Sequence, residues 1–343
     1  MNKKQIKIIS LIALVLSCWI GWNFSFSPSN SMSTFDGNIM TIDYHIVVTS
    51  TQNKQQQIQE IINNTFQEIN QTYNKWNNES EITKINQLKA NETVEISPEL
   101  ENFLKITETI VNMSEGRFDP TIEPLQQLWK NHLETGTIPS RIEIDEVLPA
   151  VGWKNIHFGN GKFFKDHDKT SLDLGGIAKG YCVDLLVERI VAAGYPNVFV
   201  EWGGEIRVHG RRSAERPWKI FVEQLNDADP ENAIAQIDLY DRSIATSGDY
   251  IQNWSVRDKD SEIIYFHIID PRTAKPLEST LSSVASATVI APTCVLADAL
   301  ATMAMMYPSL EEARNWANQI SKNNPDIKFW LVSRNESVSS IKF

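Results

Sequence analysis

Histidine and cysteine are both scarce in this chain of 343 residues. It has six histidines, and no two of them stand at the spacing of metal ligands, which argues against a zinc site. Its three cysteines are Cys18, Cys182 and Cys294. Because Cys182 and Cys294 lie in apolar helical patterns, we expect buried thiols there and no disulfide.

Acidic residues outnumber basic residues, with 43 Asp and Glu against 32 Lys and Arg. The formal net charge is -11, and no run of lysine or arginine follows the N-terminal segment. A nucleic-acid-binding surface is therefore not expected, because phosphate binding needs a basic face. No internal repeat at solenoid or propeller spacing occurs. With 42% hydrophobic residues, the chain can bury one large core or two modest ones.

The N-terminus has the layout of a secretory signal. Three lysines precede an apolar run at residues 8–16, which is too short for a comfortable membrane span. Cys18 follows a small residue, so lipidation of Cys18 and an uncleaved anchor are both open. We predict a signal or anchor at 1–23, a flexible tether at 24–37 and one catalytic domain at 38–343. The domain is expected on the periplasmic side of the inner membrane.

Hydrophobic spacing predicts a mixture of helices and strands. Apolar residues recur at three- and four-residue steps from Ile58 to Trp76, and Ser97 with Pro98 begins a second helix that ends near Gly116. Further helices are predicted at 175–194, 295–306 and 310–320. Strands are predicted at 39–48, 170–174, 198–202, 218–223, 234–239, 263–269, 283–290 and 328–332. Because helices do not regularly separate the strands, we predict an α+β fold, with a largely antiparallel sheet, flanking helices and no Rossmann domain.

A glycine-rich turn at residues 173–180, DLGGIAKG, is the strongest local signal. Gly175 and Gly176 let the backbone approach a phosphate closely, and the first N–H groups of the following helix attract anions. Lys179 adds positive charge. The spacing is neither GxGxxG nor a P-loop, and a tight turn without a ligand explains it equally well. A second pair, Gly203-Gly204, favours a turn or bulge on its own.

Asp298 and Thr302 lie four residues apart in a small and apolar helical sequence, so their side chains share one face. Carboxylate and hydroxyl oxygens suit Mg²⁺. The alternative is that Asp298 caps a neighbouring segment and Thr302 bonds its own helix. His267 stands on a predicted strand, where it could position a phosphate or assist proton transfer. The alternative is a hydrogen-bonded structural residue.

Together these segments resemble the ApbE family, the FAD:protein FMN transferases. Seven motifs of that family occur here in the family's order. They are Met40-Thr41, residues 80–86, residues 116–121, residues 173–180, residues 245–250, the His267 strand and the Asp298/Thr302 helix. The similarity covers nearly all of the chain after residue 37. It implies a single T-fold-related catalytic unit.

The resemblance also implies the ligands and their site residues. FAD would be the flavin donor, and Mg²⁺ would bridge its pyrophosphate to Asp298, Thr302 and the carbonyl of Gly176. His267 is also the candidate catalytic residue. The positions that hold FAD in the family are occupied here by Met40, Trp76, Arg117, Phe118, Asp119, Asp173, Lys179, His267 and Ile268.

The implied reaction is phosphoryl transfer, in which a Thr or Ser hydroxyl of an acceptor protein attacks the FMN phosphorus and AMP leaves. Acceptors would be flavin-bearing subunits of Na⁺-pumping NADH:quinone reductase or Rnf-type complexes. A Mg²⁺-dependent FAD pyrophosphatase and a non-catalytic FAD-binding lipoprotein remain alternatives. Four departures from the family pattern are Trp76 for Tyr, Glu201-Trp202 for an Asn-bearing sequence, Glu205 for Asp and Ala274 for Gly.

Overall fold

A computed structural model describes residues 31–50, 54–213, 216–225, 227, 229–248, 253–258, 261–335 and 338–341. The predicted signal, Cys18 and residues 24–30 of the predicted tether lie outside these ranges, as do Asp249 and Tyr250. In the part of the chain that is described, no helix has the length and apolar character needed to cross a membrane.

Eight α-helices lie within the described ranges. Their bounds are α1 Gln55–Thr72, α2 Glu81–Gln87, α3 Pro98–Met113, α4 Glu123–Leu133, α5 Arg141–Val147, α6 Gly175–Ala192, α7 Cys294–Met305 and α8 Leu310–Asn323.

The strands of the described ranges fall into four sheets. Their bounds are β1 Ser31–Ile39, β2 Ile42–Ser50, β3 Val94–Glu95, β4 Ile156–Gly159, β5 Lys162–Lys165, β6 Val198–Trp202, β7 Glu205–His209, β8 Trp218–Val222, β9 Ala235–Leu239, β10 Ser243–Gly248, β11 Asn253–Asp258, β12 Ser261–Asp270, β13 Lys275–Glu278, β14 Val284–Ala291, β15 Lys328–Ser333 and β16 Val338–Ile341.

An eight-stranded antiparallel sheet forms the centre of the fold. Its strand order is β1-β2-β6-β7-β10-β14-β15-β16. Helices α6 and α7 cover one face of this sheet, and α1 packs on α6. The β8–β9 hairpin covers part of the other face, where Trp218 and Ile220 join Ile244 and Ile290 in a second apolar cluster. The α+β prediction with a largely antiparallel sheet is confirmed.

Helices α6 and α7 form the buried centre of the molecule. They approach so closely that a β-carbon on Gly180 would lie 2.5 Å from the carbonyl oxygen of Cys294. Asp184 of α6 accepts hydrogen bonds from the backbone N–H groups of Cys294 (2.8 Å) and Val295 (2.9 Å), which begin α7. A side chain from one helix thus caps the other and fixes their relative position.

A smaller sheet in the order β11-β12-β13 carries His267 on β12. It packs against α4 through an apolar cluster that includes Trp129, Tyr265 and Ile269. The indole Nε1 of Trp129 donates to the carbonyl of Ala274 (2.8 Å), which ties α4 to the turn after β12. This unit closes one side of the cleft described below.

Several local predictions are confirmed. The apolar stripe from Ile58 forms α1, and the Ser97 side chain accepts from the N–H of Leu100 at the start of α3. The Gly203-Gly204 pair forms a two-residue hairpin turn between β6 and β7, with φ of 63° and 95°.

Two predictions are wrong. Residues 31–37 of the predicted tether form β1, because Phe35 is buried and the strand pairs with β2 over its whole length. The predicted strand 39–48 is largely confirmed by β2 at Ile42–Ser50, but residues 40–41 form the turn that precedes it, with φ of 52° at Met40.

The second error is the strand predicted at 170–174. This segment pairs with no strand of the described residues, and side chains bind several of its backbone groups. Asn86 donates to the carbonyl of Leu172 (2.9 Å) and accepts from its N–H (2.7 Å). Buried Lys165 donates to the carbonyl of Thr170 (2.6 Å). The segment still leads directly into α6 at Gly175, so the glycine-rich turn predicted at 173–180 is present.

Candidate active site

A cleft with two lobes lies between the N-terminus of α6, the Asp298 and Thr302 side of α7, β10 and β12. The first lobe has a volume of about 320 Å³ and the second about 270 Å³. Asp173, Gly175 and His267 line both lobes, together with Gln126 and Ile269, so the lobes are adjacent. A cleft of this combined size suits an elongated ligand.

Most of the site residues predicted from the sequence meet in the first lobe. These are Phe118, Asp119, Asp173, Gly176, Lys179, His267, Ile268, Asp298 and Thr302. They come from four segments that are far apart in the chain, so their convergence is a property of the fold.

Asp298 projects from α7 at the floor of the first lobe and is 4% exposed. Its Oδ2 accepts a hydrogen bond from the N–H of Gly180 (3.1 Å), and in the described part of the chain its Oδ1 accepts none. Burial raises the pKa of Asp298 to about 6, and the nearby Lys179 and the Gly180 N–H only partly oppose this. A buried carboxylate with one open oxygen is costly unless a cation meets it.

Hydroxyl oxygens of Thr302 and Ser247 line the same lobe as this carboxylate. Thr302 lies one helical turn after Asp298, and its Oγ1 is 3.2 Å from Oγ of Ser247 on β10. Gly176 lies across from Thr302, since a β-carbon at Gly176 would stand 3.6 Å from Thr302 Oγ1. The same β-carbon would be 3.2 Å from the ring of Phe118, so a larger residue would fill the space between Phe118 and Thr302.

These residues fit a magnesium ion. They offer one carboxylate, a hydroxyl and a backbone carbonyl, which are the hard oxygen donors that Mg²⁺ prefers. Across the described ranges, no three His, Cys, Asp or Glu side chains gather as a set of metal ligands. A site of this kind therefore has to be completed by water and substrate oxygens, as is usual for Mg²⁺.

Lys179 crosses the mouth of the lobe towards the β6–β7 hairpin. Its Nζ donates to Glu205 Oε2 (2.5 Å) and to the carbonyl of Gly203 (3.3 Å). Burial lowers the pKa of Lys179, but the charges of Glu205 and Asp298 outweigh this and raise it, so the amine is a fixed positive charge. Burial is the main reason that the pKa of Glu205 is raised to about 8, and the charge of Asp298 raises it further. Lys179 opposes both effects.

Asp173 stands at the boundary of the lobes, before the first turn of α6. Its Oδ1 accepts from the N–H of Gly175 (2.8 Å), and its Oδ2 accepts from Nζ of Lys75 (2.9 Å). Lys75 also donates to Glu123 (2.5 Å). Burial alone lowers the pKa of Lys75, yet the two carboxylates raise it above the ordinary value. Lys75 therefore holds two acidic side chains at the edge of the cleft.

Phe118 and Asp119 form a turn that closes another side of the first lobe. Asp119 Oδ1 accepts from the N–H of Thr121 (2.9 Å), and Oδ2 accepts from the N–H of Trp153 (3.1 Å). Both carboxylate oxygens of Asp119 are thus used in hydrogen bonds to the backbone, which fix the turn that contains Phe118.

His267 and Ile268 reach the cleft from β12, whereas Trp76 borders the second lobe only. Trp76 is 75% exposed, and Nζ of Lys75 lies 5.1 Å from the centroid of its ring. An exposed indole beside a cleft offers a flat surface on which an aromatic ligand can stack.

Met40 and Arg117 do not line either lobe. Met40 stands in the β1–β2 turn and packs partly against the main core. Arg117 lies over the ring of Tyr307 (4.3 Å to the centroid) and pairs with Glu115 (3.1 Å). Their predicted contact with FAD stays a prediction.

Three residues near the site were not predicted from the sequence. Lys75 and Glu123 meet across 48 positions of the chain, and Lys75 meets Asp173 across 98. Asp184, which caps α7 and accepts from Arg207 Nη1 (2.7 Å), sits in an ordinary helical pattern. No local spacing marks such pairs, because their partners are distant in sequence.

Comparisons with known proteins agree with this geometry. The model of the ApbE family matches residues 40–327. A FAD:protein FMN transferase of Chlamydia pneumoniae is 40% identical over 297 residues, which are 85% of this chain and 90% of that protein. Among solved structures, the ApbE protein of Thermotoga maritima has a TM-score of 0.76 at 28% identity, covering 90% of this chain and 97% of its own. The flavin transferase ApbE of Vibrio cholerae has a TM-score of 0.73 at 25% identity, covering 91% and 97%.

Proposed function

This chain belongs to the ApbE family, and from that membership we infer that it is a transferase that moves FMN from FAD to an acceptor protein. We propose in addition that the transfer depends on Mg²⁺ held by Asp298, Thr302 and the Gly176 carbonyl. The observation that carries this addition is the open Oδ1 of Asp298, buried at the floor of the cleft.

FAD is proposed to lie across both lobes with its diphosphate near the start of α6. The N-terminal N–H groups of this helix and the paired ammonium of Lys179 favour negative charge there. Aromatic surfaces border both lobes, Phe118 in the first and Trp76 in the second. Such a cleft can hold a long ligand that is aromatic at its ends and anionic in the middle.

The bound cation would supply charge neutralisation at the diphosphate, which is the usual role of Mg²⁺ in phosphoryl transfer. The chain positions the reacting groups around it. A Thr or Ser hydroxyl of the acceptor forms a bond to the FMN phosphorus, the bond from that phosphorus to the bridging oxygen breaks, and AMP leaves. His267, which lines both lobes, is the candidate to take the hydroxyl proton.

The acceptor and the compartment are also proposals. The family resemblance favours flavin-bearing subunits of Na⁺-pumping NADH:quinone reductase or Rnf-type complexes. The lysine-rich and apolar N-terminal sequence favours an exported enzyme tethered to the inner membrane on its periplasmic side.

The test is an assay of the full chain with FAD, with and without Mg²⁺ and an acceptor protein. Transfer predicts covalent flavin on the acceptor after denaturing electrophoresis, with one AMP released for each flavin attached. Free FMN and AMP formed at the same rate without an acceptor would show a pyrophosphatase instead. Tight FAD binding with no AMP release would show a binding protein.

Asp298→Asn separates the metal proposal from the family activity. This variant is expected to lose at least about a hundredfold in Mg²⁺-dependent AMP release, because a ligand of the phosphoryl-transfer site is neutralised. Asp238→Asn, an exposed change on β9, is the matched control and should retain the parent rate. A parent-like rate for Asp298→Asn would overturn the metal assignment and leave the transferase assignment standing.

A further inference from the structure

Strand β10 extends beyond the strand that pairs with it. On one side it pairs with β14 over all six residues, from Ser243 to Gly248. On the other side only Ser243 and Ile244 pair with β7, because the β6–β7 hairpin turns back at Gly203 and Gly204. The second half of β10 therefore presents an edge that no strand of the described chain covers.

The backbone of Thr246 faces this open edge. The carbonyl of Arg242 accepts from the N–H of Val208, so the backbone groups of residue 242 point towards β7. Backbone groups of alternate residues in an antiparallel strand point the same way, which directs those of Ile244 and Thr246 to that side. Ile244 meets Ile206 there, whereas Thr246 lies past the tip of the hairpin.

A separate groove of about 590 Å³ lies on the other side of this edge. Thr246 Oγ1 is 2.9 Å from Thr288 Oγ1, and both line the groove on the sheet face opposite α7. Ser247 points instead to Thr302 and the first lobe. Thr246 and Lys179 border both spaces, so the edge of β10 is where the groove and the cleft meet.

The charges of the groove disfavour a dinucleotide there. Its described lining includes Glu201, Glu223 and Asp227, and the one basic residue of that lining, Lys179, is already paired with Glu205. Phosphates would be repelled by the carboxylates. A polypeptide without excess negative charge is the better occupant, since an exposed strand edge pairs readily with an extended chain.

We propose that the acceptor protein docks as an extended segment on the free edge of β10, hydrogen-bonded to the backbone of Thr246. This inference rests on the proposed transfer of FMN to a protein. Side chains of an extended segment alternate in direction. The reacting hydroxyl then points into the first lobe, towards Ser247 and Thr302, while the residues before and after it point into the groove and determine which sequences are accepted.

Hydrogen exchange tests the docking directly. The full chain is first shown to attach flavin to the flavin-bearing domain of an acceptor subunit. The same domain, with its modified Thr changed to Ala so that it binds without reacting, is then added in excess. The Thr246 amide is expected to exchange at least tenfold more slowly with this domain, and to show no such protection with FAD alone.

A pair of variants tests the role of the backbone N–H. Thr246→Pro removes this donor, while Thr246→Val keeps it and removes only the hydroxyl. The KM for the acceptor is expected to rise in Thr246→Pro at least tenfold more than the Kd for FAD, and Thr246→Val should recover most of that loss. Circular dichroism and the melting temperature identify any folding defect.

The outcomes separate the two proposals. Absence of flavin attachment by the parent chain would contradict the proposed function itself. Attachment that proceeds normally while Thr246 exchange is unaffected by the acceptor would overturn the docking site alone. Equal acceptor KM values for Thr246→Pro and Thr246→Val would also overturn it, because pairing at this edge requires the N–H.

Discussion

Gly180 and Asp298 connect the two central helices at the floor of the cleft. The N–H of Gly180 donates to Asp298 Oδ2 over 3.1 Å. The absence of a side chain at Gly180 lets α7 come close enough for this bond, since a β-carbon would stand 2.5 Å from the Cys294 carbonyl. The depth at which the buried carboxylate lies is therefore set by a glycine on the opposite helix.

Gly180→Ala is expected to push α6 and α7 apart. A methyl group at 2.5 Å from backbone atoms cannot be accommodated without a shift of the helices. The expected loss is about 1–3 kcal/mol in the free energy of unfolding, typical of an overpacked core, with at least a tenfold fall in AMP release. Urea unfolding and the AMP assay measure the two effects, and parent values in both would show that the helices do not touch at this point.

The pH dependence of stability follows from the buried carboxyl groups. Burial raises the pKa of Asp298 to about 6 and that of Glu205 to about 8. Between about pH 4, where such groups titrate in an unfolded chain, and these values, the folded state binds more protons. The free energy of unfolding should thus fall as pH rises through this range when no divalent cation is present.

Asp298→Asn removes one of these charges, so the free energy of unfolding should fall less as pH rises. At neutral pH, without Mg²⁺, the variant is expected to be more stable than the parent by about 2 kcal/mol, because the desolvated charge is gone while the amide oxygen can still accept from Gly180. Thermal unfolding across pH measures this. A variant less stable than the parent at neutral pH would show that the ionised carboxylate is already well compensated.

Lys75→Met is expected to weaken FAD binding more than turnover. Without the ammonium, Glu123 and Asp173 are two uncompensated carboxylates at the edge of the cleft, and Asp173 at the boundary of the lobes repels the diphosphate. The KM for FAD should rise about tenfold, equivalent to about 1.4 kcal/mol, with kcat changed much less. Lys84→Met, an exposed change on α2, is the control. A tenfold fall in kcat with an unchanged KM for FAD would instead assign Lys75 to the chemical step.

Asp184→Ala is expected to destabilise the helix pair. Burial raises the pKa of Asp184 to about 6, although Arg207 and two backbone N–H groups oppose this effect. In the variant these two N–H groups, of Cys294 and Val295, are left without an acceptor. A loss of about 3 kcal/mol is expected for breaking this buried group of contacts. Glu188→Ala removes the other carboxylate that pairs with Arg207, but Glu188 is 57% exposed and should cost less than about 1 kcal/mol.

Equal losses in chemical unfolding for these two variants would contradict the capping role of Asp184. Restoration of a single acceptor in Asp184→Asn should recover part of the stability, since an amide oxygen can replace only one of the two accepting oxygens.

Periodic and capped segments were predictable from the sequence, whereas β10 was not. Helices α1 and α3 carry apolar stripes, and α3 also has Ser97 at its start. Residues 243–248 read Ser-Ile-Ala-Thr-Ser-Gly, without the alternation of a half-buried strand. Both neighbours of this strand, β7 and β14, are needed to place it in the sheet.

The candidate site was predictable where a motif is local, and not where its parts are distant. Gly176, Asp298 and Thr302 meet in the first lobe as the family resemblance implied, although their ligand role stays a prediction. The departure at Ala274 has a structural meaning, because its φ of 57° is a conformation that favours glycine. The contacts of Lys75 depend on tertiary structure alone.

The most direct test is a crystal structure of the enzyme with FAD and Mn²⁺, whose anomalous scattering locates the cation without ambiguity. A peak is predicted within about 2.5 Å of Asp298 Oδ1, the Thr302 hydroxyl and the Gly176 carbonyl, with the FAD diphosphate completing its coordination. A cation bound elsewhere, or FAD bound with no anomalous peak beside Asp298, would contradict the proposed metal site.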